Sequence, residues 1–237
     1  MKNNYTYYLV LFISLFLSPL TLFSQKDQIP LETALEQNSE RQLIKIGMIT
    51  ASKPAKIKFG AYHSDNRKGA SEAKDENGKA LLFSFDLFNQ EGNKASIEGA
   101  TNLESNDTNP RNDVSIYIST DIDEEDLWVL LMIKTPETNE FSLKNTFLTN
   151  GSDEITFQTA TGEPTGKSEV TAPKGITAYI NGNPLGAMQY YSGGSFSYKK
   201  FIWVSDSMDQ QLQFVTAAVF SAMLEVGDYF IDTQFTD

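Results

Sequence analysis

Leu127-Trp-Val-Leu-Leu-Met-Ile133 is a run of seven apolar residues, fenced by Asp121-Ile-Asp-Glu-Glu-Asp126 before it and by Lys134-Thr-Pro136 after it. A run this short, with β-branched and aromatic members, reads as a strand rather than a helix. Alternate side chains of a strand point to opposite faces, so Leu127, Val129, Leu131 and Ile133 go one way and Trp128, Leu130 and Met132 the other. Both faces are apolar. The expectation is a central strand with cover on both sides. A membrane β-barrel needs a polar lumen opposite each lipid-facing residue, and this run violates that pattern.

Shorter runs on either side carry the same two-residue period. Leu43-Ile44-Lys45-Ile46 and Ile57-Lys58-Phe59 read as strands around a Ser52-Lys53-Pro54 turn. Leu81 to Phe88, Lys94 to Glu98 and Val114 to Ile118 follow, then Phe141-Ser-Leu143 and Ile155-Thr-Phe157 joined across Asn150-Gly151. Ile176 to Ile180, Ala187 to Tyr191, Ser195 to Val204 and Tyr229 to Phe235 complete the series. Residues 64–79 and 101–113 are hydrophilic and read as surface loops.

Met208, Leu212, Val215, Val219, Ala222 and Val226 break the two-residue period with spacings of three and four, which predicts a helix over 207–226 with one apolar stripe. Asp206 or Ser207 is the expected cap at its start, and Gly227 the expected stop. A short helix is expected over Leu31 to Asn38, with Pro30 near its start. The fold class is therefore mainly β: an antiparallel β-sandwich, or a barrel-like sheet, with one C-terminal helix and a short N-terminal one. The joint at Thr135 to Glu140 is too short to divide it, so residues 42–237 are read as a single domain.

The first 24 residues carry an address. Lys2 supplies a thin positive region, Tyr7 to Phe23 is uncharged and mostly apolar, and Ser24-Gln25 offers a small residue for cleavage. This resembles a bacterial secretory signal peptide. It implies an exported protein, in the periplasm, at the cell surface or outside the cell, with a polar N-terminal segment at 25–41 and no membrane span in the mature chain. The absence of cysteine excludes disulfides and a lipid-modified N-terminal Cys, so the core alone must hold the fold. The formal net charge of −12 becomes −13 when Lys2 leaves with the leader. Acidity of this size repels phosphate backbones and anionic membrane surfaces, which leaves cations, neutral sugars and proteins as partners.

Candidate chemistry is sparse. Tyr190, Tyr191, Tyr198 and Trp203 surround a Gly193-Gly194 turn and are the candidate binding residues, as an aromatic face for a glycan or a protein. Asp121, Asp123 and Glu125 offer oxygen ligands at alternate positions, a candidate calcium loop, although Asp126 stands where an EF-hand requires Gly and Met132 where it requires an acid. Otherwise no cofactor is expected. His63 is the sole histidine, so a zinc site of the usual kind is not expected, and its neighbours Ser64 and Asp65 do not make a triad, whose members come from distant segments. Gly162-Glu-Pro-Thr-Gly-Lys-Ser168 nearly spells a P-loop but has one residue too few between its glycines. Asp206-Ser207-Met208 is similar to a triplet that is O-glycosylated in some exported bacterial proteins, and the same Asp and Ser also read as a helix cap. The expected function is non-catalytic binding or interaction in the bacterial envelope, with a protein or glycan as ligand. The alternatives are a secreted glycan hydrolase with spatially paired carboxylates, and a structural envelope protein without a small ligand.

Overall fold

A computed structural model describes residues 27–47, 56–75, 78–105, 114–123, 125–134, 141–164, 172–193, 199–229 and 235–236. The leader, the Ser52 to Pro54 turn and Tyr198 lie outside these residues. Eleven strands form an up-and-down meander, each pairing antiparallel with the next: β3 (Ile57–Phe59), β4 (Tyr62–Asp75), β5 (Gly78–Phe88), β6 (Lys94–Ser105), β7 (Val114–Thr120), β8 (Leu127–Lys134), β9 (Phe141–Thr149), β10 (Glu154–Thr161), β11 (Lys174–Ile180), β12 (Asn183–Tyr191) and β13 (Phe201–Val204).

The two edges of this meander meet through one short segment. Gln42 and Leu43, strand β1 (Gln42–Leu43), pair with Ile202 and Phe201 of β13. Lys45 and Ile46, strand β2 (Lys45–Ile46), pair with Lys58 and Ile57 of β3. Ile44 sits between them, 7% exposed, its N–H donating to the Lys200 carbonyl at 2.9 Å. The antiparallel sheet thus curls into a nearly closed barrel, in the barrel-like form of the expected architecture. Near the C-terminus, β14 (Phe235–Thr236) pairs in parallel with Phe141 and Ser142 of β9.

A barrel of this many strands is too wide for strand side chains alone to fill. The filling is α2 (Gln210–Tyr229), 20 residues and so about 30 Å long. Phe214 to Val226 are buried without interruption. A helix buried all round needs cover on every side, and α2 contacts β6 and β7 on one part of the ring and β12 and β13 on another. The single stripe expected from the sequence is therefore incomplete: Ala217, Ala218, Phe220, Met223 and Leu224, off that stripe, are buried as well. The helix also starts and ends later than expected. Asp209 caps it, its Oδ1 accepting from the Leu212 N–H at 2.8 Å, while Asp206 and Ser207 stay exposed in the preceding turn. Gly227 lies inside the helix, without a positive φ.

Inward strand positions complete this core: Phe83, Phe85 and Leu87 of β5, Ile97 of β6, Ile116 and Ile118 of β7, Trp128, Leu130 and Met132 of β8. Glu225, 1% exposed on the helix, meets Arg67 of β4 inside the barrel. The β4 ladder loses register between Asp65 and Lys68, and Asn66 has a φ of 51° there; this bulge turns Arg67 toward the interior.

Two polar stretches depart from expectation. Residues 64–79, read as a loop, form most of β4 and the start of β5, and residues 101–105 extend β6. Antiparallel pairing from His63↔Phe88 to Asp75↔Gly78, broken by register shifts on either side of Lys68, holds the backbone there, so a ladder prevails over weak local propensity. The segment at 25–41 is no mere polar appendage. Ile29 and Leu35, the latter on α1 (Thr33–Gln37), are buried with Ala160, Ala187, Phe201 and Trp203 on the outside of the barrel. Gln189 fixes the segment, accepting from the Ile29 N–H at 3.1 Å and donating to the Asp27 carbonyl at 2.8 Å.

Candidate functional site

Of the candidate aromatic residues, Tyr190, Tyr191 and Trp203 are described, and these three do not share one exposed face. Trp203 is 2% exposed, covered by the N-terminal segment. The Arg41 guanidinium sits 3.8 Å over the Phe201 ring and 5.8 Å from that of Trp203, a cation–π contact that seals the N-terminal segment down. Tyr190 packs against the interior core, on the opposite side of the sheet wall, and Tyr191 is half-buried.

The acidic loop before β8 is a set of ties between neighbouring loops. Asp121 Oδ1 accepts from the Lys94 N–H at 2.7 Å, and Asp123 Oδ1 from the Glu125 N–H at 3.2 Å. Asp126 accepts from Trp128 Nε1 at 2.7 Å, Asn150 Nδ2 at 2.8 Å and Gln211 Nε2 at 3.4 Å, so it joins two hairpins to the helix. Among the described residues no three His, Cys, Asp or Glu converge as a metal cage, and Asp121, Asp123 and Glu125 are not brought together as one. His63 stacks on Phe88 at 5.5 Å. Its neighbours serve the fold: Ser64 Oγ accepts from the Ile57 N–H at 2.8 Å, and Asp65 pairs with Lys56 at 3.0 Å, whose hydrogen bond holds the Asp65 pKa below its ordinary value. At Gly162, the first glycine of the P-loop-like stretch, the N–H donates to the Pro173 carbonyl at 2.9 Å.

Among the described residues no second layer of the expected kind covers the outward face of β8. Leu127 is 50% exposed, and Val129, Leu131 and Ile133 are half-buried. Cross-strand pairing sets Tyr117, 47% exposed, beside Val129, and Phe147 beside Leu131. The result is an apolar and aromatic stripe on a convex sheet. Charged outward neighbours on adjacent strands, Glu98 beside Tyr117 and Lys144 on β9, interrupt it at the sides.

The third surface lies at the barrel end where α2 enters. There the Gly60-Ala61 turn, the Asn89 to Asn93 turn and the first turn of the helix surround a cleft of about 530 Å3. Tyr62 and Phe214 form its apolar side, their rings stacked with centroids 6.0 Å apart. Asn89, Gln90, Glu91, Gln210 and Gln213 form the polar side. Asn89 Oδ1 accepts from the N–H groups of Glu91 and Asn93, at 3.0 and 2.9 Å, which holds its turn rigid. Gln213 Nε2 donates to the Met208 carbonyl at 2.8 Å, and Gln210 Nε2 to Glu91. Sequence reading missed this cleft because its residues are ordinary turn and helix-surface residues, about 30 and 120 positions apart, with no local signature. No family model, curated protein or solved structure matches the chain.

Proposed function

We propose that this chain is an exported, non-catalytic binding protein of the bacterial envelope, acting through its outer surface. The observation that carries this reading is the occupied barrel: α2 fills the space in which a barrel of this width would otherwise hold a small ligand. Contact with a partner then falls to the outside. The stripe of Leu127, Val129, Leu131 and Ile133 with Tyr117 and Phe147, which no other described residue covers in full, supports docking of a folded protein, since it offers a run of exposed apolar area across three strands. The engagement of Asp121, Asp123 and Asp126 in loop-closing hydrogen bonds supports a non-catalytic role for the acids around the helix entrance.

The test is capture of a partner from native envelope extract with the purified protein, alongside Leu131→Asp and Val129→Asp. A partner that binds the wild type, crosslinks at Tyr117 or Phe147 and is lost with either charge supports the reading. A partner retained equally by both variants refutes the stripe. Fractionation checks export: recovery of the chain in the cytoplasm with residues 1–24 attached would overturn that half.

A further inference from the structure

We propose that the cleft at the helix entrance binds a neutral, hydroxyl-rich ligand, a carbohydrate. This goes beyond a protein-docking role and stands on separate residues. The argument is the inventory of hydrogen-bonding groups that remain after the fold has engaged its own. Asn89 has its carbonyl oxygen committed to the turn, so its amide Nδ2 remains as a double donor. Gln210 and Gln213 have their Nε2 groups committed, to Glu91 and to the Met208 carbonyl, so both keep carbonyl oxygens as acceptors. Gln90, exposed in the same turn, adds both functions, and the Tyr62 hydroxyl donates and accepts. A tyrosine hydroxyl is protonated at neutral pH, and burial raises the Tyr62 pKa further.

This mixture matches hydroxyl groups, each of which donates once and accepts twice. It does not match ions. Among the described residues no Lys or Arg lines the cleft to hold a phosphate or carboxylate, and Glu91 repels one. A cation finds a single carboxylate among the described residues there, already engaged by Gln210. The cleft volume of about 530 Å3 is within the range of small-molecule sites, and the apolar side from the Tyr62 and Phe214 rings, with Ala61 beside them, suits the C–H face of a sugar ring. The turn of Asn89 and the capped start of α2 hold the donors in place before any ligand arrives, which lowers the cost of ordering them.

The experiment is an NMR titration of the purified protein with glucose, galactose, mannose, N-acetylglucosamine and their linear oligomers, with glucuronic acid and inorganic phosphate as charged controls. At least one neutral sugar is expected to shift the side-chain amides of Asn89, Gln90 and Gln213, with neither control doing so. Tyr62→Phe, which keeps the ring, and Gln90→Ala, on an exposed turn, should each weaken that sugar roughly fivefold, about one hydrogen bond, without lowering the unfolding midpoint. Leu131→Asp should leave it unchanged. Absence of shifts with every neutral sugar at millimolar concentration refutes the proposal. So do shifts produced by phosphate or glucuronic acid alone, or a bound sugar indifferent to both cleft variants.

Discussion

Gly186→Ala tests the placement of the helix inside the barrel. Gly186 lies on β12, against Thr216 and Phe220 of α2. A methyl group added there lies 2.6 Å from the Trp203 carbonyl oxygen, 2.9 Å from Thr216 Cγ2 and 3.1 Å from Phe220 Cε2. Ordinary contacts begin near 3.4 Å, so the nearest neighbour must yield by about 0.8 Å and the two helix atoms by less. That carbonyl belongs to the sheet backbone and cannot rotate aside. The helix is shut in by strands, so neither side retreats freely, and overpacking of this kind costs about 1–3 kcal/mol. Thr216→Ser removes the Cγ2 methyl and keeps the hydroxyl. The double variant should recover at least ~0.5 kcal/mol relative to the sum of the single changes, the coupling expected of groups in direct contact. Gly92→Ala is the control. Its added methyl meets nothing within 4 Å, but its φ of +89° disfavours a side chain, so it should lose about 1 kcal/mol and show no coupling to Thr216→Ser. Urea unfolding of the purified protein reads all of these. A neutral Gly186→Ala, or strict additivity with Thr216→Ser, would mean that α2 does not press against β12.

The buried pair makes a sharper demand: Glu225→Gln alone should cost about 3–5 kcal/mol, and Arg67→Met with Glu225→Met should recover most of it, measured by urea unfolding. A double variant no better than the single one would count against a paired interior charge. Tyr179 is pushed up to about 12, first by burial and then by its hydrogen bond to the Glu32 carboxylate. Its raised pKa contributes stability that is present below pH 10 and lost as pH rises through about 12, so ultraviolet titration should show a late tyrosine that Tyr179→Phe removes. Leu35→Ala removes a buried anchor of the N-terminal segment at a cost of about 2–5 kcal/mol. If the segment lifts as a unit, Trp203 emission shifts to the red before global unfolding; an unshifted spectrum refutes that local release.

Much of this fold is legible in the sequence, and the parts that are not share a cause. The period of two at Val114 to Ile118 marks a real strand whose alternate residues meet a core on one side, and the one at Ile176 to Ile180 marks a real strand although Thr177, on its other face, is buried as well. The run at Leu127 to Ile133 does mark a central strand between β7 and β9. Its second apolar face misled, because periodicity reports composition and not what covers it. Helix α2 announced itself by spacing, yet its full burial was hidden: Ala217, Ala218 and Ser221 are small enough to pass for a neutral outer face and small enough to fit against a wall. Residues 64–79 were opaque because their order comes from cross-strand pairing. The cleft was opaque because it exists only once Tyr62, Asn89 and Gln213 are brought to one end of the barrel.

Ile44 has a kinetic consequence. The rung that joins the ring links Gln42 to Ile202, residues 160 positions apart, so loop-closure entropy opposes it until the intervening strands are in place. Because the zipper segment precedes the meander while the plug helix follows it, a nascent chain has both of its unpaired margins open until its last quarter has emerged. The slowest phase of refolding should therefore be the joining of those margins, and a chaperone that shields naked strand borders would act during that interval.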